Sequence, residues 1–242
     1  MSHYEKAWQA VATRVADAAR ASGRDPQSVH ILAVSKTFPA DAVRAVHACG
    51  QRVFGESYVR EGEAKRAALV DLADIEWRLI GPVQSNKAAR AARAFDAVES
   101  VDRLDIARRL SAACADAGAA RPLDVLVQVN ISGEAQKRGV RLGDALPLAH
   151  AVAKLPMLAL RGFMGIAAAG LDEPACRVQF RALKACLDTA IADGLRMDTL
   201  SMGMSADLEA AIAEGATEVR VGSAIFGARA RDDEAHVAPE LS

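Results

Sequence analysis

Aromatic side chains are scarce in this chain of 242 residues: they make up 4% of it, with only 2 Trp and 2 Tyr. A core must therefore be packed mainly by Ala, Val and Leu, and a hydrophobic content of 51% supplies enough of them. Neither sign of charge is in excess. The 30 basic and 31 acidic residues leave a formal net charge of −1, which gives no footprint for nucleic acid and no attraction to an anionic membrane. No apolar run approaches the roughly 20 residues that span a bilayer. The cysteines are Cys49, Cys114, Cys176 and Cys186, without a CxxC pair or an accompanying His cluster. Small reduced thiols are expected, and no metal site. The start, Met1 to Lys6, lacks the apolar core of a signal peptide, so a cytoplasmic protein is expected.

What is present is an alternation. Tyr4, Trp8, Val11 and Val15 recur at helical spacing, and Gly23 and Pro26 end that first helix. An apolar, β-branched run at 29–34 reads as the first strand. Pro39 and Asp41 suit the first turn of a helix over 40–49. Short strands then recur at Val53-Phe54-Gly55, at 76–80, at 97–101, at 124–130, at 158–164, at Thr199-Leu200-Ser201 and at 218–221, with helical stretches between them. About eight strand–helix units predict a parallel sheet closed into a single (β/α)8 barrel of the TIM type with an extra N-terminal helix. An open doubly wound sheet is the alternative. One domain is expected over 1–231, followed by a polar tail over 232–242.

In such barrels chemistry gathers at the C-terminal ends of the strands. Those ends give Lys36, Gly55-Glu56-Ser57, Gly81-Pro82, Asn130, Met164-Gly165, Ser201 to Ser205, and Gly222-Ser223. Ser201, Gly222 and Ser223 suit a phosphate, because glycine permits close approach and a helix start presents unpaired N–H groups; otherwise they merely turn and cap the chain. Lys36 is either a solvated strand-end lysine or an amine held in a pocket, where it would attack an aldehyde. An amine at one strand end and a phosphate seat at two others bracket a small phosphorylated aldehyde, and pyridoxal 5′-phosphate (PLP) fits both requirements. Arg220 points either into the barrel mouth, toward a ring nitrogen or the phosphate, or outward into a surface ion pair. Lys137, in a polar loop, is either solvated or a secondary site or release route. Tyr58, early in a helix, reads as a packing residue.

Several motifs then carry a resemblance: Ala33-Val34-Ser35-Lys36-Thr37, Phe54-Gly55-Glu56-Ser57-Tyr58-Val59, Ile80-Gly81-Pro82-Val83-Gln84-Ser85-Asn86-Lys87, Val129-Asn130-Ile131, Arg161-Gly162-Phe163-Met164, Leu200 to Asp207, and Val219 to Gly227. In this order they resemble the YggS/PROSC family of pyridoxal phosphate homeostasis proteins. The resemblance runs from the first helix to Arg229. It implies a free-standing barrel like the N-terminal domain of alanine racemase. It also implies a Schiff base between PLP and Lys36, phosphate contacts from Ser201, Gly222 and Ser223, and a cofactor-facing Arg220, with Ser57 and Met164 also at the cofactor. No catalytic residue is assigned, because such proteins hold and release PLP in intracellular vitamin B6 homeostasis. PLP-dependent apo-enzymes would be the recipients, and a monomer is expected. A PLP-dependent racemase or aldolase of the same fold is the alternative; alanine racemase takes its second base from another domain, and this chain has no obvious counterpart. Three positions depart from the family pattern: Ser57 stands where Asn is usual, Arg78 where His is common, and Ala167 where Pro is common.

Overall fold

In the computed structural model, which describes residues 2–228, the alternation becomes a barrel. Helix α1 (His3–Ala21) opens on a capping box, in which the Ser2 hydroxyl accepts from the Glu5 N–H and the Glu5 carboxylate reaches back to the Ser2 N–H. The strands are β1 (His30–Val34), β2 (Val53–Glu56), β3 (Glu76–Leu79), β4 (Ala97–Val101), β5 (Leu123–Asn130), β6 (Val140–Arg141), β7 (Leu158–Gly165), β8 (Thr199–Ser201) and β9 (Glu218–Val221). Helices α2 (Ala40–Ala48), α3 (Val59–Ala68), α4 (Ala88–Ala94), α5 (Leu104–Asp116), α6 (Ala145–Val152), α7 (Glu173–Ala192), α8 (Leu208–Ala213) and the one-turn α9 (Ser223–Phe226) connect them.

All pairings are parallel, and β4 pairs with β5, which closes the sheet. The closed barrel has eight strands; the two-residue β6 pairs only with the far end of β5 and stands outside the ring. That extra strand was not legible in the sequence, because two residues in a polar loop carry no periodicity. The expected tail over 232–242 lies outside the described residues. No helix among them is long and apolar enough to cross a membrane. The four cysteines are free, three of them buried.

The expectation of a small-residue core holds for the layer between sheet and helices. Ala19, Ala91, Ala107, Ala149 and Ala211 pack there beside Val43, Leu110 and Phe180. The inside of the barrel is different. Leu32 is in register with Arg220, and Met164 with Ser201, which is itself in register with Glu218. The barrel therefore encloses Glu99, Ser201, Glu218 and Arg220, each no more than 4% exposed. A charged interior is affordable only if its members pair, and the pairing sets the geometry of the site.

Candidate functional site

The β1 strand ends at Val34, and Ser35 follows fully buried. Strand alternation places Leu32, Val34 and Lys36 on the barrel side, since Leu32 is in register with the inward Arg220. Lys36 is half-buried and lines a cleft of about 430 Å³ together with Ser57, Tyr58, Gln128, Asn130, Lys137 and Arg138. Among the described residues three cations line this cleft: Lys36, Lys137 and Arg138. Gly81 contributes by having no side chain: a Cβ there would sit 2.0 Å from the Ser57 carbonyl oxygen, so the β2 and β3 ends could not approach as they do.

The second part of the site lies where β8 and β9 end. Gly222 precedes the one-turn α9, and a Cβ on it would press on Val34, 3.3 Å from its carbonyl oxygen. The α9 start is thus drawn against the end of β1, two residues before Lys36. First-turn N–H groups have no acceptor within their own helix. Beside them the Ser223 and Ser205 hydroxyls lie 3.5 Å apart. Gly203, at φ +92, lets the chain double back between β8 and α8, with Ala211 in the space a side chain would need. Its carbonyl accepts from the Arg220 N–H at 2.9 Å, which locks the two strand ends together.

Ser201 is placed differently from Gly222 and Ser223. It is fully buried, donates to Glu99 Oε2 at 2.7 Å and accepts from Arg220 Nη1 at 2.7 Å. The hydroxyl that stands beside Ser223 is that of Ser205. A strand-end count points to the last strand residue, whereas the chain here runs four residues further before it turns back. Arg220 is 4% exposed and faces inward, with Nη2 on the Gly165 carbonyl at 2.8 Å; the surface ion pair is excluded. Burial pushes its pKa down, and Glu99, Glu218 and Asp207 oppose that shift. Met164 is fully buried beside this group, in register with Ser201. Ser57 lines the cleft with Lys36. Tyr58 is 63% exposed on the cleft rim instead of packed. Lys137 is tied to the Ala167 carbonyl at 2.9 Å and to Glu134, so it is neither loosely solvated nor remote from the site.

The site continues below into Arg78, noted in the sequence only as a departure from the family pattern, and into Glu99 and Glu218, which the sequence did not flag. Arg78, from β3, reaches Glu218 Oε2 at 2.5 Å, Glu99 Oε1 at 3.4 Å and Glu76 at 2.8 Å. Burial opposes its charge, but the attraction of Glu218, Glu99 and Glu76 prevails and raises its pKa. Burial and the neighbouring Glu99 hold Glu218 well above the usual carboxylate range, against the pull of Arg78. Arg220 and Ser201 thus sit on a charged column that runs down the barrel.

The residues present fit PLP. A phosphate has a seat of two hydroxyls, a glycine and free N–H groups, and an aldehyde has an amine beside that seat. A donor-rich guanidinium, that of Arg220, is buried in the barrel on Ser201 and the Gly165 carbonyl. The chain is also similar to known proteins. The chain matches the family "alanine racemase, N-terminal domain" over residues 8–230. It is 52% identical over 219 residues to the pyridoxal phosphate homeostasis protein of Pseudomonas aeruginosa, covering 90% of this chain and 93% of that one. It is 45% identical over 230 residues to the protein of the same name from Escherichia coli K12, covering 90% and 94%. Its fold matches the structure of PipY from Synechococcus elongatus PCC7942 with PLP bound, with a TM-score of 0.77 and 37% identity, covering 88% of this chain and 100% of PipY.

Proposed function

The chain belongs to the family of pyridoxal phosphate homeostasis proteins built on the alanine racemase N-terminal domain, and from that premise we propose that it holds PLP covalently on Lys36 and releases it in cellular vitamin B6 balance. The observation that carries the reading is the cleft that Lys36 lines with Ser57, Lys137 and Arg138 among the described residues, with the start of α9 and its Ser205–Ser223 pair drawn against the end of β1. When bound, PLP supplies an electrophilic aldehyde and a ring that can take up electron density. The Lys36 amine would hold PLP through that aldehyde, whose oxygen would be lost as water. Ser205, Ser223 and the N–H groups at Gly222 would hold the phosphate. Ser57 and Met164 would border the ring. Ser201 acts through Arg220, fixing the guanidinium between itself and the Gly165 carbonyl.

A carrier and not a catalyst is the role these residues support. Arg220 is a donor only and neither takes nor lends a proton. Besides Lys36, the proton-transfer candidates on the cleft among the described residues are the exposed Tyr58 and the tied Lys137. We propose that the protein acts as a monomer, hands PLP to apo-enzymes, and works in the cytoplasm, where its free cysteines suit a reducing compartment.

The test uses the purified chain loaded with PLP. Borohydride reduction and tryptic mapping are expected to put the adduct on Lys36, and conversion of L- to D-alanine is expected to stay near the rate of free PLP. Turnover far above that rate would replace the carrier by a racemase. The phosphate seat has its own check. Ser205→Ala should weaken retention of PLP about tenfold in equilibrium dialysis, the loss of roughly one charge-assisted hydrogen bond, with the adduct still on Lys36. Unchanged retention would move the phosphate elsewhere.

A further inference from the structure

Lys36 is borne on a turn with an unusual backbone. Thr37 has φ +70, in the left-handed region that a β-branched residue rarely enters. Such a conformation persists only where the surroundings impose it. The surroundings here are a buried cluster outside the cleft. Lys65, from α3, is 5% exposed. Its Nζ donates to the Ser35 carbonyl, to Glu56 Oε1 and to Glu61 Oε1, each at 2.7 Å. The Ser35 hydroxyl donates to the same Glu56 oxygen at 2.6 Å. Glu61 Oε1 in turn accepts from the Thr37 N–H at 2.5 Å.

The peptide groups on both sides of Lys36 therefore end on one ammonium group, the Ser35 carbonyl directly and the Thr37 N–H through Glu61. Glu61 and Lys65 are one helical turn apart, so both reach the turn from one face of α3. Glu56 closes the cluster from the end of β2. A buried ammonium with two carboxylates is a weak device for stability, because desolvation consumes much of its attraction. It is a strong device for direction, because its two backbone bonds, at the Ser35 carbonyl and the Thr37 N–H, fix the peptide planes on either side of Lys36.

We propose that Lys65 and Glu61 form a brace that positions Lys36, holding its turn in the left-handed form that directs the amine into the cleft. The brace rests on the reading of Lys36 as the PLP-linked amine. Lys65 and Glu61 are positioning residues and do not themselves touch the cofactor.

Glu61→Ala is the variant of choice. Glu61 is half-buried on a helix, and alanine keeps the helix while removing the acceptor of the Thr37 N–H. Glu61→Gln keeps an acceptor oxygen in the same place and serves as the rescue. In the cofactor-free protein, amide exchange at Thr37 should speed up at least tenfold in Glu61→Ala and stay within about threefold of the parent in Glu61→Gln. After addition of PLP, the rate of forming the borohydride-trappable Lys36 adduct should fall about tenfold in Glu61→Ala and recover in Glu61→Gln. A Glu61→Ala protein that matches the parent in both readouts overturns the brace. So does one in which Gln behaves like Ala. The exchange arm needs no cofactor, so it distinguishes failure of the brace from failure of Lys36 as the attachment point, which would appear as an adduct on another residue in the parent protein.

Discussion

Lys36→Ala is expected to abolish the covalent adduct: after PLP loading and borohydride reduction, the reduced-cofactor mass increment should vanish from the intact protein and from the peptide containing position 36. Colour that survives dialysis should vanish with it. Retention should drop by at least about a hundredfold, or roughly 3 kcal/mol, because only the phosphate seat and the ring contacts remain. The fold should be nearly unaffected. Lys36 is half-buried on a turn after β1, and Ala asks for no new space, so a change within about 1 kcal/mol in urea unfolding is expected. The residual binding is informative too. Ser205, Ser223 and Gly222 are untouched by the substitution, so weak reversible binding of PLP should remain. An adduct that persists on Lys137, the other amine on the cleft, would show that attachment is set by the cleft and not by the β1 turn.

Different layers of the site were legible to different degrees. The barrel and its N-terminal helix could be read because strands of three to eight residues repeat between helices, and Lys36 could be singled out as the proposed anchor because an apolar strand delivers a lysine at its end. Gly222 and Ser223 could be proposed as a phosphate seat for a similar reason, being a glycine and a hydroxyl at a helix start. Ser205 was not, because nothing local says that the chain after β8 turns back to stand beside Ser223. The charged column was hidden more completely. Arg78, Glu99 and Glu218 each sit in a short strand where a charge ordinarily marks the solvent face. Only barrel closure, through the β4–β5 pairing, brings residues this distant in the chain onto one interior. Lys65 was hidden in the same way: a lysine within the charged stretch Val59–Ala68 reads as surface, and its burial depends on the end of β2 and the turn after β1 folding over it.

Replacing Arg78 by Met should cost about 3–5 kcal/mol in unfolding free energy at neutral pH, as expected when one partner is removed from a buried ion cluster. Arg78 is the cation shared by Glu218 and Glu99. Without it both carboxylates stay in the barrel with Arg220 as the nearby positive charge. The pH dependence identifies the cause. Glu218 already has its pKa raised by burial and by Glu99, with Arg78 pulling it down; loss of Arg78 raises it further. A carboxyl whose folded pKa lies above its unfolded value favours the folded state most fully below the unfolded value, near 4.5, and that contribution is lost as pH rises through the folded value. The deficit of Arg78→Met should therefore be largest at pH 7.5 and shrink as pH falls toward 5. Adding Glu218→Gln should recover much of it at pH 7.5, because the amide has no charge to bury. Urea unfolding of the single and double variants at the two pH values measures this. A deficit independent of pH, and not relieved by Glu218→Gln, would mean that Arg78 acts by filling space and not by charge. If charge is the cause, the effect should extend to the site, since Glu99 also accepts from Ser201, which holds Arg220. The absorbance maximum of bound PLP should then shift in Arg78→Met although position 78 is outside the residues lining the cleft.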